Sequence, residues 1–96
     1  MYARQLIFKA NPDRRSEVEK LADQAFGFMK SLKGFISVHF LISDDETQCS
    51  SFSLWESKSD ADAAGATISE KTAGTLHELA LEAPELQTYE VYKPKG

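Results

Sequence analysis

The chain has 96 residues, a formal net charge of −4, 42% hydrophobic and 27% charged residues, values that suit one domain, 1–96, burying about 60 to 70% of its unfolded surface. Its eleven Lys and Arg residues form no basic stripe and do not interleave with the aromatics, so no nucleic-acid partner is expected. No apolar run has the length of a membrane span or a signal-peptide core, which points to the cytoplasm and away from a membrane, and the lone Cys49 leaves no internal disulfide and no cysteine cluster for a metal.

Tyr2 to Lys9 predicts a strand with Leu6 and Phe8 on one face and Ala3 and Ile7 on the other. Asn11 then offers an N-cap, Pro12 suits the first helical position and Asp13 complements the helix dipole. The apolar stripe Val18, Leu21, Ala22, Ala25, Phe28, Met29 and Leu32 predicts a helix, which Gly34 ends by taking a left-handed turn. Phe35 to Ile42 predicts a strand with Ile36, Val38, Phe40 and Ile42 on one face and Phe35, Ser37, His39 and Leu41 on the other. The polar run from Ser43 to Thr47 has hairpin length.

Cys49 to Glu56 alternates again, with Phe52 and Leu54 opposite Ser51, Ser53 and Trp55. Because a one-residue slip exchanges the faces of a strand, these residues do not say whether His39 and Trp55 look the same way. Ser57 or Ser59 caps a second helical region in which Ala61, Ala64 and Ile68 face the sheet. Gly65 and Gly74 weaken it by about 1 kcal/mol each, and a break is expected between residues 69 and 75, with Leu76, Leu79 and Ala80 completing the helix. Pro84 ends this region, and Gln87 to Lys93 predicts the last strand, with Tyr89 and Val91 on one face.

Two strand-helix-strand halves of this kind close into a four-stranded antiparallel sheet with both helices on one face, an α+β fold of order βαββαβ. The other face is left open. Since β1 and β2 carry apolar side chains on both sides, that face calls for a cover, and a second copy of the chain needs only one self-complementary patch. A homodimer with two sheets packed face to face is expected.

The residues Ala3-Arg4, Lys9, Gly34-Phe35-Ile36-Ser37-Val38 and Trp55-Glu56-Ser57, taken in this element order, resemble the antibiotic biosynthesis monooxygenase (ABM) family. The resemblance implies a ferredoxin-like monomer, a dimeric α+β barrel, and a ligand cleft between sheet and helices in each subunit. Members of the family include cofactor-independent oxygenases of phenols and quinols, haem-degrading oxygenases and proteins without a known substrate. Haem-degrading relatives carry a first-strand asparagine, a second tryptophan and a histidine ligand on the second helix. This chain has Ala3, one tryptophan, and small residues near Ala64 and Gly74, while His77 falls a few residues too late. No haem or other cofactor is expected, and the histidines of quinol-oxidising relatives have no counterpart between Ala61 and Ser69.

The candidate site residues each carry two readings. Trp55 is either the wall of a substrate pocket or a core anchor at the strand-to-helix corner. His39 is either a general base for a phenol or a packed interface histidine. Arg4 either orients an anionic or carbonyl group or pairs with Glu90, and Tyr89 either donates a hydrogen bond to the ligand or lines a half-buried edge. The run Asp44-Asp45-Glu46 lacks the spacing of a calcium loop and reads as a solvated turn. Two functions compete. One is a cofactor-independent monooxygenase-like protein that ionises a small phenol- or quinol-type aromatic and lets it react with oxygen. The other is a non-catalytic dimeric barrel that binds a small molecule or responds to stress.

Overall fold

The computed structural model describes residues 1–96 as β1 (Tyr2–Lys9), a short 3-10 turn (Pro12–Arg14), α1 (Arg15–Met29), β2 (Phe35–Ile42), β3 (Gln48–Trp55), α2 (Lys58–Leu79) and β4 (Glu85–Glu90). The strands pair antiparallel in the order β2-β3-β1-β4, with both helices on one side. This is the expected ferredoxin-like βαββαβ fold.

Local chemistry sets the element ends. The Asn11 side chain accepts a hydrogen bond from the Asp13 amide at 2.9 Å, and the 3-10 turn it caps leads into α1. Gly34 has φ +82°, and a side chain there would collide with Asp60 of α2, so only glycine makes this close corner. Ser57 caps α2, its hydroxyl accepting from the Asp60 amide at 3.1 Å.

Two expectations are corrected. The second helix is unbroken from Lys58 to Leu79 despite Gly65 and Gly74, because Ala61, Ala64, Gly65, Ile68, Thr72 and Leu79 form a buried stripe along it. Packing outweighs the propensity of two glycines. The last strand is Glu85–Glu90, beginning two residues earlier and ending three earlier than expected. It pairs with Tyr2 to Ile7 of β1, and past Glu90 only the Val91 amide finds a partner, the Met1 carbonyl.

The pairing register settles which side chains face the helices. Directly opposed residues share a face, so Arg4, Ser53 and Val38 form one row, Leu6, Ser51 and Phe40 the next, and Phe8, Cys49 and Ile42 a third. All three rows lie under the helices. An irregularity between Phe35 and Ser37 rotates the start of β2. Phe35 thereby meets Trp55 edge-on, with ring centres 5.5 Å apart, while Ile36 is left exposed. The core under the helices consists of two apolar clusters. Phe8, Ala10, Val18, Leu21, Cys49 and Leu79 make one, and Ala25, Met29, Trp55, Ala61, Ala64 and Ile68 make the other.

Candidate functional site

Between these two clusters the sheet and helices do not meet, and a cavity of about 380 Å³ remains. It is large enough for a small organic molecule. Leu6 and Phe8 form part of its sheet wall, Val18, Leu21, Ala25 and Met29 come from α1, and Ile68, Thr72 and Leu76 come from α2. The gap follows from residue size. The middle row of the sheet presents Ser51 where a large apolar side chain would have filled the space, and α1 presents Ala22 and Ala25. Thirteen of the twenty lining residues are hydrophobic, while Arg15, Glu19 and Asp23 of α1 bring charge to the lining.

Four polar residues of the sheet and α2 also line the cavity, Arg4, Ser50, Ser51 and Thr72. The Thr72 hydroxyl donates to the Ile68 carbonyl at 2.7 Å, a bond internal to its helix. Ser51 carries a hydroxyl on the sheet side. Arg4 is buried, with 7% of its surface exposed. Burial pulls the Arg4 guanidinium below its ordinary pKa, and the charge of Asp62 partly offsets that. The alternative pairing with Glu90 does not form: Arg4 lies opposite Thr88, and Glu90 lies opposite Tyr2.

Trp55 sits behind the cavity wall. It is fully buried, its indole N–H donates to the Ser53 hydroxyl at 2.9 Å, and that hydroxyl donates in turn to the Arg4 carbonyl at 3.2 Å. Ala25, Met29 and Ile68 belong both to its packing cluster and to the lining. Trp55 thus has the position of a core anchor whose neighbours form the wall.

His39 and Tyr89 lie elsewhere. His39 opposes Phe52, and Tyr89 opposes Ala3, both on the face of the sheet turned away from the helices. Strand alternation puts them across the sheet from the cavity, and neither lines it. Of the four proposed site residues, the structure brings Arg4 to the cavity and Trp55 against its wall, and leaves the other two outside.

Cys49 also lines the cavity, and burial pushes its thiol pKa up although Arg15 pulls it down. A thiol in that setting stays protonated at neutral pH and is a poor nucleophile. No three His, Cys, Asp or Glu side chains gather in a metal-binding arrangement. Phe40, Met29, Ser51 and Thr72 were not singled out as lining residues by the sequence. The signal available for Ser51 was its alternation with Phe52, readable only once the hairpin register was known.

No family model matches the sequence, and no curated protein matches it. Solved structures match it over nearly its whole length. A candidate antibiotic biosynthesis monooxygenase from Nitrosomonas europaea superposes with a TM-score of 0.84 at 16% identity, covering 97% of this chain and 100% of that one. SnoaB, a cofactor-independent oxygenase from Streptomyces nogalater, gives 0.82 at 16% identity over 97% and 94% of the two chains. The ActVA-Orf6 monooxygenase of Streptomyces coelicolor, solved in complex with Nanaomycin D, gives 0.75 at 19% identity over 99% and 88%. Identities this low carry the fold, and the fold is the one the ABM resemblance implied.

Proposed function

We propose that this chain, built on the fold of the cofactor-independent oxygenases, is a monooxygenase-like protein whose cavity between helices and sheet takes a small aromatic substrate of the phenol or quinol type. The observation that carries this reading is the cavity of about 380 Å³ with mostly apolar lining. Apolar walls bind a ring and exclude water, and a chain with this fold adds its ligand chemistry at such a site. The reaction needs no bound cofactor. The phenol gives up its O–H proton to bulk water on entering, and the phenolate passes one electron to O2; the phenoxyl and superoxide so formed join through a new C–O bond at a ring carbon bearing hydrogen. Protonation gives a hydroperoxide, and loss of water leaves a quinone, so that one oxygen atom of O2 enters the ring and the other leaves as water.

A second reading is favoured by one observation. Neither histidine lines the cavity, and the carboxylates in its lining, Glu19 and Asp23, are carried by exposed residues of α1. A cavity without a base in its interior suits a dimeric small-molecule-binding protein that performs no chemistry. Both readings use a homodimer in which the open sheet faces pack on each other, and both place the protein in the cytoplasm.

Oxygen uptake with a panel of naphthols and hydroquinones, run beside thermal melts with the same compounds, separates the two. Uptake above the uncatalysed rate together with a raised Tm is expected for the oxygenase. A raised Tm without uptake leaves the binding protein, because a ligand that binds the folded state stabilises it whether or not it reacts. No shift with any compound would remove the cavity from consideration.

A further inference from the structure

The Arg4 guanidinium is the one cation of the chain that is buried, and it has no partner. It takes part in none of the five ion pairs of the molecule, and its side chain makes no hydrogen bond. The acid whose charge acts on it, Asp62, is already held by Lys58 at 2.8 Å and lies beyond ion-pair distance of Arg4. Its neighbours across the strands on the helix-facing side are Ser53 and Thr88, both neutral. Its nitrogens keep only a little exposed surface, and a charge mostly withdrawn from water and left unpaired is costly.

The fold makes room for this group at some cost to the helix. A β-carbon built on Gly65 would stand 2.7 Å from Arg4 Nε and 3.1 Å from Nη2, so the guanidinium lies against the backbone of α2 at a position without a side chain. A glycine in mid-helix lowers helix stability relative to alanine, and here it leaves space that the guanidinium fills. Ser51, one row along the same face of the sheet, adds a hydroxyl that makes no hydrogen bond of its own. Arginine presents a planar fork of N–H donors suited to two oxygens or to one charged oxygen, and a charge-assisted bond is strongest where water is excluded.

We infer that the ligand of this cavity is an aromatic anion, a ring bearing a carboxylate or an ionised hydroxyl, whose negative oxygen pairs with Arg4 and accepts a further hydrogen bond from Ser51. The inference rests on the cavity being the binding site proposed above and names the chemical class it selects. For a phenol the same pairing favours the ionised form, since the guanidinium stabilises the charge that appears on the oxygen.

The test compares two probes of the same shape, 2-naphthoate and the neutral 2-naphthamide, by calorimetric titration of the full chain. Wild type is expected to bind the naphthoate at least tenfold more tightly. Arg4→Met should erase that preference by weakening naphthoate binding far more than naphthamide binding, and it should raise the Tm of the ligand-free protein because the unpaired charge is gone. Gly65→Ala, which keeps the charge but crowds the guanidinium, should weaken naphthoate binding, and Arg4→Lys should keep part of the preference even if the methionine variant fails to fold. Equal affinity of wild type for both probes, or an Arg4→Met protein that still prefers the naphthoate, overturns the anion inference alone. Binding of neither probe to wild type overturns it together with the cavity reading.

Discussion

Trp55, prominent in the sequence, is packed behind the cavity wall in the structure. Its indole has no exposed surface, its N–H is held by Ser53, and Phe35 packs edge-on against it. Trp55→Ala is therefore expected to lower folding stability by about 3 to 5 kcal/mol, read as a fall in the urea midpoint at unchanged slope. A variant that melts at the wild-type urea concentration yet loses ligand would return Trp55 to the substrate wall. Arg4 is the opposite case. Its burial could not be read from the sequence, because a charged residue on a first strand is most often solvated, and only the register against Ser53 and the gap at Gly65 place it inside.

The elements were largely legible, and their faces were not. The caps at Asn11 and Ser57, the glycine at Gly34 and the stripe through Val18, Leu21, Ala25 and Met29 each declare a boundary or a face by local chemistry. β3 misleads, because Phe52 and Leu54 are its apolar set, yet the serines and Trp55 turn toward the helices. Apolar patterning names two faces without saying which one the helices cover. The hairpin between β2 and β3 fixes that choice, and Asp45 organises it: one carboxylate oxygen accepts from the hydroxyls of Ser43 and Thr47 and from the Thr47 amide. The Thr47 hydroxyl first, then Ser43 and the Thr47 amide, hold the Asp45 pKa below its ordinary 3.8. A lowered folded pKa contributes stability that is fully present above the unfolded value and fades as pH falls through the folded one. The Tm difference between wild type and Asp45→Asn should accordingly be present at pH 6 and shrink once the pH drops below 3.8. A difference that stays constant over that range would mean the turn does not depend on the charge.

At the scale of the molecule, Phe52 and Leu54 become meaningful again. They stand with Ile7, Leu41 and Tyr89 on the face the helices do not cover, and Leu41 and Tyr89 are exposed. Such a face suits a second copy, since a two-fold axis brings the same patch onto itself. Light scattering at micromolar concentration is expected to give twice the 10.7 kDa chain mass, and Phe52→Glu, which introduces like charges across that axis, should shift the mass toward one chain. A wild-type mass near a single chain would leave the sheet face without a cover. The topology was legible at this scale because element order and the rules of connection leave few ways to close four strands and two helices. The cleft between sheet and helices was implied by the family resemblance, but its lining was not legible, since the small residues that open it, Ser51, Ala22 and Ala25, come together only through the strand register and the helix packing.

The arrangement around Trp55 also equips the chain with its own optical reporter. As the only tryptophan, dry and fixed by one hydrogen bond, it gives an emission with a single origin. Three of the side chains packed on it also face the cavity, and the hydroxyl that holds it is bonded to the backbone of Arg4. A molecule settling beside Arg4 disturbs that indole through one layer of atoms, so occupancy of the cavity can be followed by the colour and brightness of the protein's own light, with no label attached.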